Sequence, residues 1–166
     1  MIAGNEPNHA PLGARLLLRS QARDALRAAA RGSRTRERGG ILVGYRQRRD
    51  VVVDDALTVP DPRANRTTYV RRPGPAKHVL DTYLRHADAC AGYIGEWHTH
   101  PQPEPPSHTD HAAMRTMTTR NRHPIAMVVA ALQPDGTVQF HALLSTPDNW
   151  PHRLGGNHVP VPVAHP

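Results

Sequence analysis

Hydrophobic and polar positions along the chain change their period several times, and each change marks an element. Residues 14–19 (ARLLLR) hold a short apolar run that predicts a strand. Ser20 then stands where a helix N-cap is expected, ahead of the helix-forming run QARDALRAAAR, and Gly32 closes it. Gly39 to Tyr45 (GGILVGY) is apolar and bounded by glycine, the mark of a buried strand. Val51 to Val59 (VVVDDALTV) predicts a second strand across a turn at Arg49-Asp50, so the two pair as a hairpin. Thr67 to Arg71, β-branched and aromatic, predicts an edge strand. Pro73, Gly74 and Pro75 interrupt the pattern. From Ala76 onward Val79, Leu80, Tyr83, Leu84 and Ala87 fall on one helical face, with Gly92 after the helix end.

The second half continues in the same way. Tyr93 to His98 (YIGEWH) alternates as a strand does. Pro101, Pro103, Pro105 and Pro106 follow, and a segment so rich in proline is loop rather than helix or central strand. Ser107 and Asp110 have the S-x-x-D spacing of a capping box, which predicts a helix to about Arg120. Ile125 to Leu132 (IAMVVAAL) predicts a buried strand, Pro134-Asp135-Gly136 a turn, and Val138 to Leu144 the returning strand. From Thr146 the chain is rich in Pro, Gly, His and Asn. The expected organisation is a flexible N-terminus over 1–13, one domain over 14–145 and a C-terminal tail over 146–166. The fold class is mixed α/β (α+β), with one central mixed sheet flanked by helices.

Composition narrows the function. The chain has 166 residues and a formal net charge of +7. Lys77 is the only lysine, and the arginines are scattered rather than gathered into one stripe. Aromatic residues make up 4%, too few for a base-stacking platform, so nucleic acid is not the expected partner. Cys90 is the only cysteine, which excludes an internal disulfide and fits a reducing cytoplasm. The first residues, MIAGNEPNHAPLG, lack a basic-then-apolar signal, and no apolar run approaches the roughly 20 residues that a membrane span requires.

The candidate chemistry lies in GEWHTHPQPEPPSHTD, Gly95 to Asp110. His98 and His100 are two residues apart, so an extended strand puts both imidazoles on one side. Zinc takes imidazole nitrogen and carboxylate oxygen. Asp110, at a nearby helix start, is the natural third ligand and leaves a position open for water, whose pKa the metal would lower to about 7. Glu37, before the GGILVG strand, is a candidate base, and Ser107 a candidate hydrogen-bond donor to an oxyanion. Plainer readings stand beside these. A His-rich chain produces HxH by chance, Asp110 can serve only as a cap, and Glu37 alone reads as a solvated charge. Glu96 shares the face of His98 and competes as base or supporting partner. His108 and His111 are alternative ligands, although solvated helix positions suit them better, Trp97 faces the core, and Cys90 reads as a small buried residue.

Taken together, E-x-GG-I-L-V-G (Glu37 to Gly44) and GEWHTHP…S-x-x-D (Gly95 to Asp110) resemble the JAMM/MPN-plus zinc metalloproteases, most of all their bacterial JAB-domain branch. The resemblance covers residues 14–145. It implies a sheet with helices packed around it, similar to the cytidine deaminases, although deamination itself is disfavoured because no P-C-x-x-C is present. It implies Zn2+ held by His98, His100 and Asp110, with Glu37 as general acid/base in preference to Glu96, and Ser107 steadying the oxyanion. The loop from Pro101 to Pro106 is one residue shorter than the family's usual spacing. The implied activity is hydrolysis of the amide or isopeptide bond after the C-terminal glycines of a ubiquitin-like protein. Such a substrate belongs to a bacterial conjugation system with activating or conjugating enzymes, including antiphage defence, or to a sulfur-carrier system. The alternative is a non-catalytic MPN-type interaction scaffold. Leu154-Gly155-Gly156 resembles a ubiquitin-like terminus, but chance in a glycine-rich tail explains it better.

Overall fold

The structure, a computed structural model, describes residues 15–48, 50–146 and 157–165. In chain order the elements are β1 (Leu16–Leu18), α1 (Ser20–Arg31), β2 (Gly39–Gln47), β3 (Asp50–Thr58), α2 (Pro73–Leu84), β4 (Gly92–His100), α3 (His108–Arg120), β5 (Ala126–Leu132), β6 (Val138–Thr146), β7 (Asn157–Val161) and β8 (Val163–Ala164). All eight strands join one mixed sheet in the order β7-β6-β5-β4-β2-β3-β1-β8. The pairs β1–β3, β1–β8 and β4–β5 are parallel and the others antiparallel. The expected fold class therefore holds: a mixed sheet flanked by helices.

β7 and β8 lie at opposite ends of that strand order, yet only Pro162 separates them. One stretch of backbone thus pairs with both edges, so the sheet curls until its margins meet. The Pro162 carbonyl accepts from Leu16 N at 3.2 Å, and Val161 is buried in the main core. Covering both edges leaves fewer unpaired backbone groups for aberrant strand pairing.

α1 packs on one face of the curled sheet through Ala22, Leu26, Ala29 and Ala30, against Leu42, Val53, Trp97 and Val128 among others. Its small residues admit a close approach, and the fully buried Leu26 contributes about 1.5–3 kcal/mol. α2 packs with Ile41 and Val43 through Ala76, Val79 and Leu80, and α3 packs with Met127 and Leu143 through Met114. Tyr93 touches both of these smaller clusters, so α2 and α3 share the face opposite α1.

A register shift on β4 decides which way the histidines point. Leu42 pairs with Gly95 but Val43 pairs with Tyr93, which leaves Ile94 as an extra residue. Beyond such a bulge every side chain changes face. Ile94 and Trp97 thereby both join the α1 core, while the Tyr93 hydroxyl reaches Glu96 on the other face. Gly95 makes this possible, because a Cβ there would lie 2.0 Å from the Ala126 carbonyl oxygen on β5.

Several expectations change. Ser20 is the first helical residue rather than the cap. Arg19 precedes the helix and makes no side-chain cap, because a guanidinium has no acceptor to offer the helix N–H groups, while its own N–H donates to Val53 on the sheet. α2 begins at Pro73 rather than Ala76, since proline's fixed φ suits a first turn whose N–H groups have no helical partner. Thr67 to Arg71 is not a strand. Polar groups hold it as a shaped loop: Val70 N donates to Asp61, Thr67 N to the Asn65 side chain, and the Tyr69 hydroxyl to the Val59 carbonyl. The segment read as a tail contributes β7 and β8, so its backbone partners are the sheet edges. Cys90 is exposed rather than buried. The N-terminus over 1–13, Arg49 of the expected turn and Leu154-Gly155-Gly156 lie outside the described residues. Among the described residues no helix is long and apolar enough to cross a membrane.

Candidate metal centre

β2 and β4 bring the site together. Gly39 pairs with His98, and the ladder extends one step further: Thr99 N donates to the Arg38 carbonyl at 2.7 Å, and Arg38 N to Thr99 Oγ1 at 2.9 Å. This extension carries Glu37 to the last turn of β4 although more than sixty residues separate it from His100. Gly39 allows it, because a Cβ there would meet the Tyr69 ring at 2.4 Å and the Trp97 carbonyl at 2.7 Å.

α3 supplies the third ligand candidate. Ser107 caps the helix: Asp110 N donates to Ser107 Oγ at 3.2 Å, and Ser107 N donates to Asp110 Oδ2 at 2.6 Å. The Ser107 hydroxyl also donates to Asp110 Oδ2 at 2.7 Å. The expected capping box is therefore present, and it aims the rest of the carboxylate inward. Asp110 Oδ1 lies 3.1 Å from His98 Nε2 and Oδ2 lies 3.4 Å from His100 Nε2. The short proline loop thus spans the gap. It also adds a partner, because the Glu104 carbonyl lies 2.9 Å from His100 Nδ1 and fixes that ring with Nε2 facing the site.

One ligand atom from each of His98, His100 and Asp110 lies within 4.8 Å of the others. The two Nε2 atoms are 3.1 Å apart, so a single proton is all they can share between them. A largely buried set of two imidazole nitrogens and one carboxylate oxygen, converging on one point, fits a divalent metal ion. Nitrogen and oxygen donors of this kind suit zinc and its neighbours.

Glu37 is beside this group, with Oε1 3.8 Å from His100 Nε2, and only 7% exposed. Burial raises its pKa; His98 and His100 pull it down, and the Asp110 charge pushes it up again. Burial also opposes a charged His100, but the hydrogen bond to Asp110, the Glu104 carbonyl and the charges of Asp110 and Glu37 outweigh it, so its pKa is raised. At Asp110 burial is overcome by the hydrogen bonds from His100, His98 and Ser107 N, which hold it well below the usual carboxylate range.

The other candidates separate from the centre. Glu96 lines the same cleft, but its carboxylate is ion-paired with Arg71 and accepts from Tyr93 at 3.3 Å. His111 turns to His158 at 2.8 Å, and His108 is exposed. Trp97 faces the core and donates from Nε1 to the Leu57 carbonyl at 3.1 Å. Sequence reasoning missed Arg71, Tyr69 and Glu104. Arg71 and Tyr69 lay in the segment read as a strand, and Glu104 acts through a backbone carbonyl that no residue type signals.

No curated protein matches the chain. Among solved structures it is similar to the solution structure of protein DSY2949 from Desulfitobacterium hafniense. The two are 17% identical, with 91% of this chain and 94% of that one covered and a TM-score of 0.59, a likeness that shows the fold. A profile of prokaryotic homologues of the JAB domain matches residues 19–143, most of the chain and every residue of the centre, so the protein belongs to the prokaryotic JAB-domain family.

Proposed function

We propose that this protein is a zinc-dependent isopeptidase or peptidase that cleaves the bond after the C-terminal glycines of a ubiquitin-like or sulfur-carrier protein. The observation that carries the reading is the convergence of His98, His100 and Asp110 beside a buried Glu37 in one cleft. When bound, the ion supplies Lewis acidity and a nucleophilic water near neutral pH. His98, His100 and Asp110 would hold it. Glu37 takes a proton at its carboxylate and returns it to the leaving amine. The Ser107 hydroxyl, which lines the cleft, turns its one proton from Asp110 Oδ2 to the carbonyl oxygen as that oxygen gains charge. Glu96 keeps Arg71 and Tyr93 in place.

The cleft holds about 210 Å³. That is below the roughly 300–1,000 Å³ of pockets built for compact ligands. Such a space suits extended backbone without side chains, as in a Gly-Gly terminus.

The test is hydrolysis of ubiquitin-like fusions by the zinc-loaded protein. Glu37→Gln is expected to lower kcat by about 10²–10⁴-fold, with metal content by mass spectrometry unchanged. Full turnover in that variant, or equal turnover in chelator, overturns the reading.

A further inference from the structure

A second groove, lined by residues 32–39 and 58–61, adjoins the cleft, and Glu37 and Tyr69 line both. The second groove is lined by Arg34, Arg36 and Arg38. All three are exposed. Among the described residues none of the three has a carboxylate partner.

The acids in the groove are already engaged. Asp61 is buried, accepts from Arg63 N and Val70 N, and is ion-paired with Arg72. Glu37 faces the histidines. The loop carrying the arginines is also held in shape. Ser33 Oγ donates to the Arg36 carbonyl at 2.9 Å, Arg38 donates from its guanidinium to the Gly32 carbonyl at 3.2 Å, and Glu37 N donates to the Asn65 carbonyl at 2.7 Å. A fixed loop presents its guanidinium groups at a smaller entropic cost on binding.

We propose that this arginine-lined groove is the subsite for an acidic peptide segment of the substrate, on one side of the bond to be cleaved; the assignment of a bond to be cleaved rests on the function proposed above. Guanidinium forks match carboxylates in geometry and charge, and the groove that carries them borders Glu37. A basic segment meets repulsion there. An acidic peptide fits better than nucleic acid, because the groove's aromatic ring, Tyr69, lies against Gly39 and its hydroxyl is held by Val59.

The experiment measures fluorescence anisotropy of a labelled peptide with a central Gly-Gly flanked by glutamates, titrated with the full-length protein in chelator. Controls replace every glutamate by glutamine or by lysine, and a single-stranded DNA oligonucleotide serves as the rival polyanion. The acidic peptide is expected to bind at least about tenfold more tightly than the glutamine version, and to weaken as salt screens the arginines. Arg34→Glu with Arg36→Glu removes the difference, while Arg34→Lys with Arg36→Lys keeps most of it. Equal binding of the acidic and neutral peptides, no effect of the charge reversal, or tighter binding of the oligonucleotide overturns the proposal. Binding in chelator does not require turnover. Arginine-dependent capture of a peptide that zinc-loaded protein never cleaves would leave the groove assignment standing and remove the hydrolase reading; cleavage with no charge preference would do the reverse.

Discussion

Ser107→Ala tests whether one hydroxyl both caps a helix and steadies a metal ligand. The substitution deletes two contacts, the acceptor for Asp110 N and the donor to Asp110 Oδ2, and leaves the bond from Ser107 N to that carboxylate. Ser107 is exposed, so water replaces part of what is lost. Loss of a serine cap typically costs about 1 kcal/mol. In a chain of this length that lowers Tm by about 2–4 °C. The second contact orients Asp110 towards His98, and removing such a supporting bond weakens metal binding by about 10–100-fold. Thermal melts in chelator measure the first effect, and zinc titration against a competing indicator the second. Ser107→Gly separates them, because glycine loses only a few tenths of a kcal/mol as a cap yet still lacks the hydroxyl. Wild-type melting together with wild-type zinc affinity in Ser107→Ala would refute both roles.

Arg48 has φ of 56° in the turn between β2 and β3, a left-handed conformation that asparagine tolerates better than arginine. Arg48→Asn is expected to stabilise the protein by about 0.5–1 kcal/mol, and a lower Tm would contradict this. Gly95→Ala forces a Cβ against the Ala126 carbonyl and is expected to cost about 3 kcal/mol or more, read as a drop in the urea midpoint. An unchanged midpoint would mean that β4 and β5 do not meet as described. Asp50 is held below its ordinary pKa by the Arg15 side chain, whose guanidinium is 2.8 Å away. A depressed carboxylate stabilises the fold above its unfolded pKa and loses that contribution as pH falls through the lower folded value. Asp50→Asn should therefore melt below wild type at neutral pH, and the gap should close in acid. A gap that persists or widens in acid assigns the effect to something other than this charge.

Much of the architecture was legible from local pattern. The apolar run Ile125–Leu132 became the wholly buried β5, the S-x-x-D spacing became a capping box, and HxH put two imidazoles on one face. These features depend on neighbours within a few residues, so sequence carries them. Where local pattern failed, distant partners had overruled it. The β-branched stretch from Thr67 became a loop because Asp61 and Asn65 took its N–H groups. The tail became edge strands because the curled sheet left its β1 and β6 margins open to it.

The centre divides in the same way. The sequence by itself determined the candidate ligands, their spacing and the helix start that aims Asp110, since the last two follow from strand and helix periods. Only the tertiary structure decided that Ile94 joins Trp97 in the α1 core while the histidines meet α3, because the bulge at Ile94 reverses the alternation of β4. Only it placed Glu37 beside His100 and bound Glu96 to Arg71. Registers between strands far apart in sequence are set by how whole faces pack, and no window of neighbouring residues contains that information.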